Sequence, residues 1–151
     1  FKLTNLQAAL GLGQLNNIES LLKKRIELAK NYESMLKNVK GVTLTYFSKN
    51  QTCFQCECIS NRCKHSYQTF SIFVKNRDRI IKEMRKKRIE VQIGTYALHM
   101  HEAFQNNKLV EIKGSMKNSL WCFQHALALP LYNDLTYELQ QQVVKELKAC
   151  L

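Results

Sequence analysis

A chain of 151 residues is one domain by size and long enough to bury a real core. Its aliphatic and aromatic content excludes a disordered tail, and no run of about eighteen apolar residues is present to span a membrane. The formal charge of +11 would suit a phosphate-bearing partner. The cations, however, are scattered over Lys23–Arg25, Lys37–Lys40, Lys75–Arg88 and Lys108–Lys117, with no recognition-helix or RNA-binding motif to organise them. They read as a solvated surface, and nucleic acid is not an expected partner. The N-terminus offers neither Met, a basic stretch nor a small-residue cleavage site, so a signal peptide is not expected and Phe1 reads as the start of a partial chain.

The first helix opens at Thr4-Asn5-Leu6-Gln7. Thr4 and Gln7 have the spacing of a capping box, in which hydroxyl and amide satisfy backbone donors at the helix start. No charged residue occurs from Leu6 to Leu15, and apolar residues surround the axis, so this stretch of mostly small and aliphatic residues is expected to be buried on all sides. Ala8, Ala9, Gly11 and Gly13 would let another backbone approach closely. Two helical glycines cost about 1 kcal/mol each relative to alanine, which points to a packing purpose. After Asn16-Asn17 the pattern becomes one-sided, with Ile18, Leu21, Leu28, Tyr32 and Met35 at helical spacing. One long, bent helix is therefore expected to about Asn38, with Gly41 ending the region.

Val42–Leu44 is a short strand, residues 48–64 a polar, Cys-rich loop, and Ser66–Val74 a strand of β-branched and aromatic residues. Asn76 is expected to cap a helix that buries Ile80, Ile81, Met84 and Ile89 and leaves Lys82–Arg88 mostly solvated. Glu90–Thr95 reads as the next strand, closed by Gly94, and His99–Asn107 as a turn or short helix. Ser115–Ala126 looks helical, and Leu127–Tyr132 is extended around the single proline. Thr136 caps a final helix burying Leu139, Val143 and Leu147. Strand-helix-strand with flanking helices is a small α/β sandwich.

Candidates for chemistry are sparse. No Gly-rich phosphate loop, serine nucleophile elbow or His-Glu-x-x-His occurs. His99-Met100-His101 places two imidazoles near one another after a Gly-Thr-Tyr turn. Either an acid/base or metal role, or simply polar, hydrogen-bonded surroundings, would suit them. Cys53, Cys56, Cys58 and Cys63 have the ligand chemistry for zinc, but standard sites set two pairs on knuckles about a dozen residues apart. A reduced surface loop is the preferred reading, with no metal assigned.

Several segments carry a resemblance. Phe1 to Leu15 (Phe-Lys-Leu-Thr-Asn-Leu-Gln-Ala-Ala-Leu-Gly-Leu-Gly-Gln-Leu) closely resembles the Tyr/Phe-Arg/Lys-Met/Leu-Thr-x-Leu-Gln-Ala-Ala segment of the DegT/DnrJ/StrS family. Its members are pyridoxal-phosphate-dependent aminotransferases acting on nucleotide-linked keto sugars. Further blocks follow in family order: Lys24-Arg25 through Tyr32 and Leu36, His65 to Phe70, Ile93 to His99, and Leu127-Ala128-Leu129-Pro130-Leu131-Tyr132.

The resemblance implies the C-terminal third of a fold-type I aminotransferase. Residues 1–40 would be a long linking and interface helix. Residues 41–151 would be a small α/β domain with a mostly antiparallel sheet. The larger N-terminal domain, absent here, would carry the Schiff-base lysine, the aspartate at the pyridine nitrogen and most phosphate contacts. The family's lysine lies in a Ser-Phe-x-x-x-Lys context before a Gly-Glu-Gly-Gly type run, which this chain lacks, so no catalytic residue is nominated. Lys2 stands where the family commonly has an Arg that reaches the cofactor phosphate or substrate of the neighbouring subunit. Lys2 would act as a point charge without the bidentate fork. Tyr96 and His99 match the turn that approaches the sugar, whereas His101 stands where the family often has Gln. The implied partners are the N-terminal domain, a second subunit in a homodimer, a nucleotide-sugar substrate and an amino-acid donor, in the cytoplasm. The cofactor would be pyridoxal phosphate, held by the full-length enzyme and not stably by this piece. The competing expectation is a non-catalytic binding module that kept the fold and turns a basic face to an acidic partner.

Overall fold

A computed structural model describes residues 2–45, 65–105 and 107–151. The elements run α1 (Asn5–Leu15), α2 (Ile18–Leu36), β1 (Val42–Leu44), β2 (Phe70–Val74), α3 (Arg77–Lys86), β3 (Gln92–Ile93), a single 3₁₀ turn (Leu98–Met100), α4 (Glu102–Gln105), α5 (Lys117–His125), β4 (Ala126–Leu129) and α6 (Tyr137–Cys150). The four strands form one sheet in the order β1-β2-β4-β3, and every neighbouring pair is antiparallel.

Strand alternation decides the layering. Along β2, Phe70, Ile72 and Val74 are buried while Ser71 and Phe73 are half-buried on the opposite face. The register places Phe70 beside Leu129 and Ile72 beside Leu127, so the buried face continues across β4. Helix α2 covers this face, with the Tyr32 ring 5.1 Å from that of Phe70. Leu28, Ala29, Tyr32 and Leu36 of α2 join Ile80 and Met84 of α3 and Val143, Val144 and Leu147 of α6 in one core. Full burial of each large side chain favours folding by about 1.5–3 kcal/mol. Helix α5 lies on the other face, where Trp121 meets Phe73 at 4.7 Å between ring centroids.

The capping box at Thr4 and Gln7 is formed in both directions, by the Gln7 N–H to Thr4 Oγ1 at 3.2 Å and the Thr4 N–H to Gln7 Oε1 at 3.0 Å. The long first helix is interrupted at Asn16-Asn17, which separates α1 from α2. No residue of α1 is buried: Leu6, Leu10, Leu12 and Leu15, with Leu3 just ahead of the helix, are 61% to 73% exposed. A Cβ added at Gly11 or Gly13 would meet nothing within 4 Å. The cover expected for this helix is therefore not among the described residues.

Other expectations need correction. Ile18 is exposed; of the expected seam Leu28 and Tyr32 are buried, joined by Ala29 and Leu36, while Leu21 and Met35 are half-buried. The strand expected from Ser66 begins only at Phe70. Tyr67 is in the left-handed region (φ 44°), and Arg25 Nη1 takes up the carbonyls of Tyr67 and Gln68 at 3.1 and 3.2 Å, which removes them from the ladder. The strand expected over Glu90–Thr95 shrinks to Gln92–Ile93. Asn76 does precede α3, but it is left-handed (φ 53°), and its carbonyl, not its side chain, serves the Arg79 and Ile80 N–H groups. On α6, capped by Thr136 as expected, Leu139 is exposed and Gln140 takes the buried position. The Cys-rich loop lies outside the described residues.

Candidate functional site

The residues singled out from the sequence fall at two places. Lys2 is exposed, two residues ahead of the Thr4 cap of α1. Tyr96 and His99 follow β3, Tyr96 being 70% exposed and His99 half-buried in the 3₁₀ turn. That turn is closed by the Met100 N–H to the Ala97 carbonyl at 2.9 Å and the His101 N–H to the Leu98 carbonyl at 3.0 Å.

The other described histidines have local structural tasks. His65 Nδ1 accepts from the Tyr67 N–H at 2.9 Å, and His101 Nδ1 accepts from the Ala103 N–H at 3.3 Å. His125 lies stacked on Trp121 at 4.6 Å, with Nδ1 2.8 Å from the Trp121 carbonyl. Among the described residues, the pairing of His99 with His101 makes no metal site, and no group of three or more His, Cys, Asp or Glu side chains could hold one.

Gly94 fixes where the Tyr96 turn leaves the sheet. Its N–H donates to the Ala126 carbonyl at 2.9 Å. A Cβ at this position would sit 2.9 Å from Ala126 Cβ and 3.1 Å from Ala126 C, so only glycine permits the approach. On the far side of that junction lies Arg77, which is 4% exposed despite its charge. Its Nη1 donates to the Phe123 carbonyl at 2.7 Å and to the Ala126 carbonyl at 3.3 Å, and its Nε to Asp78 Oδ1 at 2.6 Å. The guanidinium carbon lies 5.4 Å from the Phe123 ring centroid, and the Phe123 ring is 6.1 Å from that of Tyr96. Sequence reading passed over Arg77 as one more cation of a basic run. Its signal was positional: Arg77, Ile80, Ile81 and Met84 occupy i, i+3, i+4 and i+7, the buried stripe of α3.

Pyridoxal phosphate would need a lysine in a pocket that strips water from its amine. Among the described residues no lysine is buried.

The model of the DegT/DnrJ/EryC1/StrS aminotransferase family matches residues 1–148. The chain is 26% identical over 153 residues to the UDP-4-amino-4-deoxy-L-arabinose–oxoglutarate aminotransferase of Shewanella sediminis, covering 95% of this chain and 37% of that protein. It shares the fold of a DegT DnrJ EryC1 StrS aminotransferase from Brucella abortus, with a TM-score of 0.77 at 21% identity over 98% of this chain and 36% of that one. It is similar too to PseC of Helicobacter pylori, an aminotransferase involved in the biosynthesis of pseudoaminic acid. There the TM-score is 0.78 at 20% identity, over 99% of this chain and 38% of that one. The chain spans 36% and 37% of the lengths of the curated relatives it matches.

Proposed function

We infer the function of this chain from its family: it belongs to the DegT/DnrJ/EryC1/StrS aminotransferase family, whose pattern runs from residue 1 to residue 148. We propose that it is the C-terminal part of a pyridoxal-phosphate-dependent enzyme. The enzyme transfers an amino group from an amino acid to a nucleotide-linked keto sugar, in cell-surface polysaccharide or related sugar biosynthesis. The observation that carries this reading is a family match along nearly the whole chain that covers just over a third of each curated relative.

In this reading residues 1–40 are the linking and interface helix and 41–151 the small domain. The lysine that holds the cofactor lies in a larger N-terminal domain, and the 151 residues alone are inactive. The assembled enzyme is a cytoplasmic homodimer. Lys2 acts on the cofactor phosphate or on the substrate of the neighbouring subunit. Tyr96 and His99 approach the sugar, Tyr96 through its hydroxyl and exposed ring and His99 through an imidazole that takes no other hydrogen bond among the described residues.

Two measurements test it. The intact protein, supplied with glutamate and a nucleotide-linked keto sugar, should yield the amino sugar. The 151-residue chain mixed with pyridoxal phosphate and borohydride should show no saturable adduct. A single trapped lysine in the short chain would overturn the placement of the catalytic residue. A start codon adjacent to Phe1, with no lysine-bearing aminotransferase sequence upstream, would favour the binding-module reading.

A further inference from the structure

A buried arginine that shares its hydrogen bonds between two elements needs a reason, because an apolar side chain of similar volume would fill the space without desolvating a charge. Arg77 is such a residue. Its Nη1 reaches the Phe123 and Ala126 carbonyls at the C-terminal end of α5, where a positive charge also meets the negative end of the helix dipole. The Ala126 carbonyl is the same atom that accepts the Gly94 N–H. The Phe123 ring, against which the guanidinium rests, also lies beside Tyr96. Two independent contacts thus lead from one side chain to the same turn, one through a shared acceptor and one through a shared ring.

We propose that Arg77 is a positioning residue: by pinning the end of α5 it fixes the Gly94–Tyr96 turn, and with it the direction in which Tyr96 and His99 meet the sugar end of a nucleotide-linked substrate. The substrate half of this inference rests on the proposed function; the mechanical half does not. The fork geometry is essential. Guanidinium supplies two donor directions at fixed angles, to Asp78 and to the paired carbonyls, while stacking on Phe123. An ammonium is a single point charge and cannot do all three. Asp78 is the balancing charge, and its side chain is mostly exposed, so it orients the fork without being locked itself.

The test uses the intact protein with Arg77→Lys and, as an independent route to the same turn, Gly94→Ala, whose added Cβ would press on Ala126. Amide hydrogen exchange at position 94, referred to the intrinsic rate of the residue there, should speed up by about tenfold or more in both variants, while the β2–β4 ladder keeps its protection. KM for the keto-sugar nucleotide should rise about tenfold with kcat changed less than about threefold, because the substrate is gripped less well while the chemistry is untouched. Unchanged exchange at Gly94 in Arg77→Lys overturns the proposal. So does loss of protection in turn and ladder alike with kcat falling in step, which marks a merely structural arginine. Should Arg77→Lys fail to fold, Gly94→Ala decides: a raised KM with an intact ladder supports the linkage, and unchanged kinetics overturn it. An intact protein that shows the Gly94 response but no sugar amination refutes the proposed function and leaves the positioning link standing.

Discussion

Gln140 and Leu28 are joined across the centre of the core: the wholly buried Gln140 amide donates from Nε2 to the Leu28 carbonyl at 2.9 Å. Its Oε1 accepts from Asn31 Nδ2 at 3.1 Å, so one side chain of α6 is satisfied at both ends by α2. Gln140→Leu keeps the volume but strands the partners. Its expected cost is about 1–3 kcal/mol in chemical denaturation, from the loss of both bonds and of the polar partners left in the core with fewer of their own. A change below about 0.5 kcal/mol would mean that water replaces the amide.

Tyr32 gives a pH signature. Its hydroxyl donates to the Pro130 carbonyl at 3.0 Å, and burial pushes the phenol far above its usual range, with Gln140 opposing and Tyr132 adding to the rise. The unfolded chain loses this proton above about pH 10, and the folded chain keeps it, so stability from this group is full below that pH and falls as pH rises beyond it. Tyr32→Phe is expected to cost about 1 kcal/mol at neutral pH and to flatten the alkaline limb of the stability profile. An equally steep limb in the variant would assign the loss to other groups.

Lys87 and Glu146 tie α3 to α6 at 2.6 Å near the surface. Their hydrogen bond holds the Glu146 carboxyl below its usual range and the Lys87 ammonium above its own. The carboxylate's contribution is present above the unfolded carboxyl value and lost as pH falls through the folded one. The ammonium's contribution is present below the unfolded amine value and lost as pH rises through the folded one. Wild type minus Lys87→Met should therefore show a small stability difference that is constant between about pH 6 and pH 9 and shrinks on both flanks. Salt should reduce it. A difference that grows toward acid pH would contradict the pairing.

Lys2, Tyr96 and His99 are testable in the intact protein. Lys2→Ala should weaken cofactor or substrate retention by about tenfold, and Lys2→Arg should restore it, because guanidinium serves a phosphate at least as well as ammonium. His99→Gln and Tyr96→Phe should raise KM for the sugar substrate without lowering the melting temperature, since both side chains are at least partly exposed. Wild-type kinetics in both His99→Gln and Tyr96→Phe would remove the proposed site from this turn.

The sequence was most informative where one local rule decided the outcome. The Thr4 and Thr136 caps, the β1 strand and the α3 seam of Ile80, Ile81 and Met84 all follow from spacing or side-chain capping alone, whereas α5, expected over Ser115–Ala126, runs over Lys117–His125 behind a left-handed Met116 and yields Ala126 to β4. Misreadings cluster where a distant partner intervenes. Residues 66–69 have strand composition, but Arg25, more than forty positions away, claims the Tyr67 and Gln68 carbonyls. The Leu139 and Gln140 pair inverts the usual preference because an amide can be buried once α2 offers both a donor and an acceptor. For the site, the proposed substrate role of Tyr96 and His99 comes from family resemblance, the His99-Met100-His101 pattern having suggested only an acid/base or metal role. Arg77 was hidden because charge usually signals solvent, and its companions Phe123 and Ala126 come together with Gly94 only in the folded sheet.

Leu10→Lys places a charge where 63% of the leucine is already exposed, so unfolding of this chain should change by less than about 0.5 kcal/mol. In the intact protein the same substitution should lower stability or subunit affinity. Equal effects in the two settings would mean that nothing covers α1.

Helix α1 has 11 residues, two of them glycine, and among the described residues no tertiary neighbour buries any of its side chains. Isolated helices shorter than about 12–15 residues are marginal in water, and each glycine weakens them further. The capping box and the connection to α2 favour the first turns, but the segment's helicity in solution should track whatever comes to rest on it. Helical circular dichroism, or protection from exchange at Leu10 to Leu15, then becomes a gauge of assembly, rising with any surface that docks on α1, while the α2–α6 core reports nothing of the event.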